Sequence, residues 1–285
     1  MLKKKPFVGI LAFCIVLLLM PLGHTSMILM EKLFGSKYVF HAALFLGFLG
    51  IFLLIRGIRA KSEMKATILG LFSGLFFWTG WIEFSFVYFS NRFGVEALKE
   101  NGEVVTKPEY LIMPSSIGFL AFVMIYYTFG IRTGCPFFTW IQKKLNLNSW
   151  FGIQRENKNI ALVTFLEFIT ILWAFYLLLL FAYDKNFFGD RHPFTFIIAI
   201  GSLAWSIYLF FNLIKISQMN YAVRYAIPTV IIFWNFVEVL GRWNFISEIW
   251  LKPKEYAFEM SLTFAILVVG TIFSLFATRK PQNER

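Results

Sequence analysis

Glu83 and Glu238 each stand inside an apolar, aromatic-rich stretch, at matching places in two halves of a 285-residue chain. Phe77-Trp78 precedes the first and Phe233-Trp234 the second. Acids inside a stretch long enough to cross a bilayer are costly, and they mark ion paths, buried pairs or binding sites. Two carboxylates brought together resist ionising at once, so a facing pair would hold a proton or a cation between them. Arg242 follows Glu238 by four residues, the favourable spacing for an acid and a cation on one helix, whereas Val87 follows Glu83 at that spacing. Two arrangements satisfy this pattern. One is a local Glu238–Arg242 pair with Glu83 reaching toward the interface; the other is a Glu83–Arg242–Glu238 cluster lining a cavity.

Other residues extend the chemistry. Trp81 and Trp234 stand within a turn or so of the acids and could wall a pocket for a cation through their ring faces. Equally, with Trp78, Trp243 and Trp250, they could form an interfacial aromatic belt. His24, His41 and His192 all map to the same ends of apolar runs, and with the two acids they offer ligands for a divalent metal. No HExxH, HxxxH or CxxC spacing supports that metal site, and each histidine alone reads as interfacial. Glu167 has no counterpart in the other half and suits an ion pair with Lys215 or Arg224, or an inner gate. Glu259 falls where a last helix would begin, a position that its charge favours through the helix dipole. Cys14 lies in an apolar run and Cys135 in a basic loop, so they do not suggest a disulfide.

The elements that must position these groups are membrane spans. Hydrophobic residues make up 58% of the chain and charged residues 15%, against about 25% charged in soluble domains. Apolar runs over 7–23, 38–56, 66–89, 110–130, 160–182, 194–214, 227–246 and 257–277 each approach or exceed the ~20 residues that cross a bilayer. Pro228 falls in the first turn of the seventh run, where proline is tolerated. The net charge of +11 comes from short basic segments between these runs, such as Lys3-Lys4-Lys5, Arg56–Lys65 and Lys143-Lys144. That distribution obeys the positive-inside rule for eight spans with both termini cytoplasmic, and it provides no basic face for nucleic acid. The first run, after its three lysines, reads as an uncleaved span because Pro21-Leu22-Gly23-His24 follows where a cleavage site would stand.

The expected fold is therefore an all-α integral membrane protein of eight transmembrane helices, arranged as two parallel four-helix repeats. Residues 1–132 form the first repeat, 133–159 an amphipathic cytoplasmic strap, and 160–285 the second repeat. Phe34-Gly35 recurs as Phe188-Gly189, Gly47 as Gly201, Ser62 and Met64 as Ser217 and Met219, and Trp78 as Trp234, all at a nearly constant offset. An even number of spans per repeat places the pseudo-two-fold axis along the membrane normal. Gly47 and Gly201 are expected at close helix contacts, and the loop from Ser90 to Glu109 is expected to be solvated.

The functional expectation is a multi-pass transporter or ion-conducting protein of a bacterial inner membrane. Its outward-facing polar site lies between the third and seventh spans and takes a proton, cation or small molecule. The alternatives are a membrane-embedded enzyme with a His/Glu metal centre and a non-catalytic subunit of a membrane complex. No nucleotide-binding, hydrolase or kinase motif is present.

Overall fold

A computed structural model describes residues 5–100, 103–130, 136–147 and 159–277. Among them, eight helices are long and apolar enough to cross a membrane: α1 (Phe7–Gly35), α2 (Lys37–Ile58), α3 (Glu63–Arg92), α4 (Pro108–Gly130), α6 (Ile160–Tyr183), α7 (Pro193–Leu213), α8 (Met219–Arg242) and α9 (Ala257–Phe276). The protein is thus an all-α, multi-pass integral membrane protein. A short helix, α5 (Pro136–Lys144), precedes α6. Between α3 and α4 the chain forms a two-stranded antiparallel hairpin, β1 (Leu98–Glu100) and β2 (Glu103–Thr106).

Each boundary has a local cause. Gly35, at φ 59°, takes a left-handed conformation that glycine adopts without penalty, and this separates α1 from α2 with no intervening loop. Gly189, at φ 102°, lies within the connection from α6 to α7, also at positive φ. His192 caps α7 by accepting the Phe194 N–H through Nδ1 at 3.1 Å, and Pro193 supplies the preset first turn. Asn159 caps α6 by accepting the Leu162 N–H at 3.2 Å.

Burial sorts the spans into two classes. In α1, α3, α6 and α8, 44% to 67% of the most apolar window is buried, against 17% to 28% in α2, α4, α7 and α9. The first and third helices of each half therefore form the centre, and the second and fourth face outward. Helix contacts interchange between halves in the same way. α1 packs on α8 through Phe13 and Phe233, and α6 packs on α3 through Phe165 and Phe77. Gly270 of α9 lies against Ile15 of α1, and Trp173 of α6 donates to the Ser116 hydroxyl of α4 at 2.9 Å. Within the halves, the Ser73 hydroxyl of α3 donates to the Gly50 carbonyl of α2 at 2.7 Å, and the Ser206 hydroxyl of α7 donates to the Thr229 carbonyl of α8 at 3.1 Å.

Several expectations change at this level. α8 begins at Met219 rather than 227, so Pro228 sits in its interior and leaves a carbonyl without its usual donor. The early polar residues Asn220 and Arg224 hid that start; Asn220 in fact joins α8 to Glu63 of α3. Gly47 does mark a close approach, because a Cβ there would collide with the Trp81 indole, whereas Gly201 has open space around it. The loop expected to be solvated is largely exposed, and within it the chain forms the hairpin. In the expected strap, Phe138 and Gln142 of α5 are buried, with Gln142 donating to the Tyr127 and Thr128 carbonyls at 3.0 and 3.2 Å, while Trp140 is exposed. Cys135, Trp150 and Phe151 lie outside the described residues.

Candidate functional site

Glu83 is positioned by a change of helix type. Trp78–Glu83 is a π-helical segment within α3, a wide turn that accommodates one extra residue. Gly80 lets this turn press on α2: a Cβ there would lie 2.6 Å from the Ala43 carbonyl oxygen and the Gly47 nitrogen. The wide turn places Trp78 and Glu83, five residues apart, at its two ends, and both are buried. In α8 an ordinary helical turn pairs tryptophan and acid four residues apart, the Trp234 indole N–H donating to Glu238 Oε1 at 2.7 Å. The one-residue difference between the two pairs is thus absorbed by the π turn.

Three further helices complete the site. His24 of α1, one turn beyond Pro21, places Nε2 3.4 Å from Glu238 Oε1. Tyr110 of α4 and Tyr176 of α6 pack against each other with ring centroids 5.8 Å apart. Tyr176 also packs on the Trp78 and His24 rings at 6.0 and 6.4 Å. Glu83 is 4% exposed, yet it lines a cleft with His24, Glu31, Lys107, Glu109 and Tyr110. Atom-free space in this cleft is about 330 Å³ including solvent at its mouth, with ≈ 20 Å³ available to water inside. That holds about one or two water molecules. Lys107 and Glu109, 4.0 Å apart, stand at its rim with Glu31. A carboxylic acid, an imidazole and room for water are the parts of a proton or small-cation site, and the space is too narrow for an organic solute.

The remaining expected site residues are placed elsewhere. Arg242 joins neither carboxylate. Its Nε donates to Asp190 Oδ2 at 2.9 Å, its Nη1 donates to the Val105 carbonyl, and its guanidinium lies 5.2 Å from the centre of the Tyr183 ring. Asp190 and the hairpin, remote in sequence, outcompete the helical neighbour. Trp81 turns away from the acids: its indole donates to the Leu44 carbonyl at 3.1 Å and packs on Phe48 and Phe77. Trp234, which does meet its acid, packs against Trp250 with the rings tilted and their centroids 4.9 Å apart. Trp78, Trp234, Trp243 and Trp250 are all buried, so they form internal packing rather than an interfacial belt.

The histidines are dispersed. His41 is exposed on α2 among Tyr38 and Phe40, and His192 is occupied in capping α7. Among the described residues no group of three or more His, Cys, Asp or Glu side chains is arranged to hold a metal. Glu167 is buried in α6, and Glu259 is exposed in the first turn of α9. Glu31, Lys107, Glu109 and Tyr110, which line the cleft, and Tyr176 beside it are the residues that sequence reasoning missed.

Comparison with known protein families, curated proteins and solved structures finds no match. The site must therefore be read from its own geometry.

Two outcomes follow for its surroundings. Arg242→Ala frees the hairpin, so limited proteolysis within residues 98–106 accelerates at least tenfold. Arg242→Lys rescues this only partly, because one ammonium cannot reproduce the divergent guanidinium donors. Glu248, between α8 and α9, is held above its ordinary value of 4.5 by burial and by the Glu238 charge, only partly offset by His24 and Arg242. The folded state therefore binds this proton more tightly than the unfolded state. Its stabilising contribution is complete below the ordinary value and is lost as pH rises through the folded one. Thermal melts should accordingly show Glu248→Gln removing part of the stability lost as pH rises above the ordinary value of 4.5.

Proposed function

We propose that this protein moves protons, or a cation no larger than a water molecule, across its membrane. The carrying observation is that Glu83 and His24 line one small cleft with room for water, and that His24 also lies 3.4 Å from Glu238, so that three central helices meet there. The cleft admits water down to a carboxylic acid that is otherwise enclosed by protein. Such an acid can take a proton from the cleft and yield it when the surrounding packing or the membrane potential changes. The Trp234 indole holds the Glu238 carboxylate in place without neutralising it.

The two Trp–Glu pairs and the interchange of helix contacts support a four-helix unit used twice, related by an axis along the membrane normal. The distribution of lysine and arginine supports cytoplasmic termini and a cleft that opens outward; the cleft is lined by the first, third and fourth spans, with His24 linking it to Glu238 of the seventh. His24 and Tyr110 have no counterparts in the other half, so the two carboxylates perform different steps.

Purified protein in liposomes with a potassium-diffusion potential tests this reading. An enclosed pH dye and a sodium tracer report the two ions. Protein-dependent, potential-driven movement of either supports the proposal; rates equal to those of empty liposomes for both overturn it.

A further inference from the structure

Two buried polar side chains repeat the symmetry of the carboxylates. Thr79 follows Trp78 and Asn235 follows Trp234, so they occupy equivalent places in the two Trp–Glu segments. Thr79 is 1% exposed and Asn235 is 3% exposed. Thr79 Oγ1 and Asn235 Nδ2 have no hydrogen-bond partner among the described residues. Each lies about one turn from its acid, on the side away from the cleft mouth, because both helices run toward the hairpin end of the protein.

A buried hydroxyl or amide without a partner is disfavoured, and ordered water is its usual companion. One such orphan could be incidental, but two at equivalent places beside two buried acids have a common cause. We infer that Thr79 and Asn235 each bind a water molecule, and that these waters continue the path from Glu83 and Glu238 toward the middle of the membrane. The chemistry is proton exchange along hydrogen bonds. The carboxylic acid gives its proton to the adjoining water, which passes one of its own to the next acceptor, so no charge is created or lost. Thr79 and Asn235 act by positioning water and do not themselves titrate. This rests on the proposed function for its role in transport, but the water positions themselves do not.

The test uses the whole protein in lipid, with Thr79→Val, Asn235→Leu and the conservative Thr79→Ser. Infrared spectra in ordinary water and in water labelled with oxygen-18 identify the O–H stretches of internal water. Thr79→Val and Asn235→Leu should each remove a label-sensitive band, and Thr79→Ser should keep the first one. Proton flux should fall at least tenfold in the first two variants and persist in the third. Thermal melting supplies an independent reading, since removing a hydroxyl that truly lacks a partner stabilises a protein. Unchanged label-sensitive bands, or a Thr79→Val variant melting above the wild type, would overturn the inference. Absence of flux in the wild type would overturn the proposed function, while the bands and melts still decide the waters.

Discussion

Glu83→Gln reduces potential-driven flux to the level of empty liposomes and leaves the protein folded. Glutamine matches the glutamate in size and shape, so the packing around the π turn survives. It carries no exchangeable acid proton, and Glu83 is the carboxyl group at the enclosed end of the cleft. Stability should stay the same or rise, because burying a carboxylate among aromatic rings is costly and the amide escapes much of that cost. The discriminating result is therefore a split: transport lost, melting temperature kept. Glu238→Gln should weaken flux at least tenfold without abolishing it, since Glu238 is 23% exposed and works beside His24. Equal transport by Glu83→Gln and wild type would remove Glu83 from the path.

The largest structural loss is expected at Gly70. There α3 meets α6 so closely that a Cβ on Gly70 would strike the Ala161 carbonyl oxygen, a backbone atom that cannot rotate away. Gly70→Leu must separate two of the four central helices, at a cost of about 3 kcal/mol or more, the upper end for overpacking. Detergent-solubilised protein should melt many degrees lower or fail to remain monodisperse. Gly201→Ala is the control. Although Gly201 matches Gly47 in sequence, nothing lies within 4 Å of a Cβ there. The alanine should be neutral or stabilise α7 by up to about 1 kcal/mol, the penalty of a helical glycine.

Membrane spans were legible because a bilayer demands long apolar runs, and burial of their backbone groups demands helices. All eight were readable, although the bounds of α1 and α8 were not. Glu31 and Lys32 masked the end of α1, and Asn220 and Arg224 masked the start of α8, because hydropathy registers side chains and not backbone geometry. The acids were legible for the same reason as the spans: charge stands out against apolar sequence. Their surroundings were harder. Trp81 and Trp234 read alike, but only Trp234 faces its acid, because the π turn rotates Trp81 onto α2. Arg242 had a local partner at helical spacing and a distant one in Asp190, and spacing on one helix cannot foresee the second. Tyr176 gave no signal, since a tyrosine in an apolar run resembles any belt residue. Histidine count likewise suggested a cluster that the fold divides among α1, α2 and the start of α7.

The most direct test of the central claim follows the Glu83 proton itself. Infrared difference spectra of the reconstituted protein between acidic and alkaline pH should contain a carboxyl C=O band from a group shielded from bulk water. The account predicts that this band disappears in Glu83→Gln and persists in Glu259→Gln, which alters an exposed acid at the start of α9. A difference spectrum unchanged by Glu83→Gln would mean that Glu83 exchanges no proton, and would contradict the account.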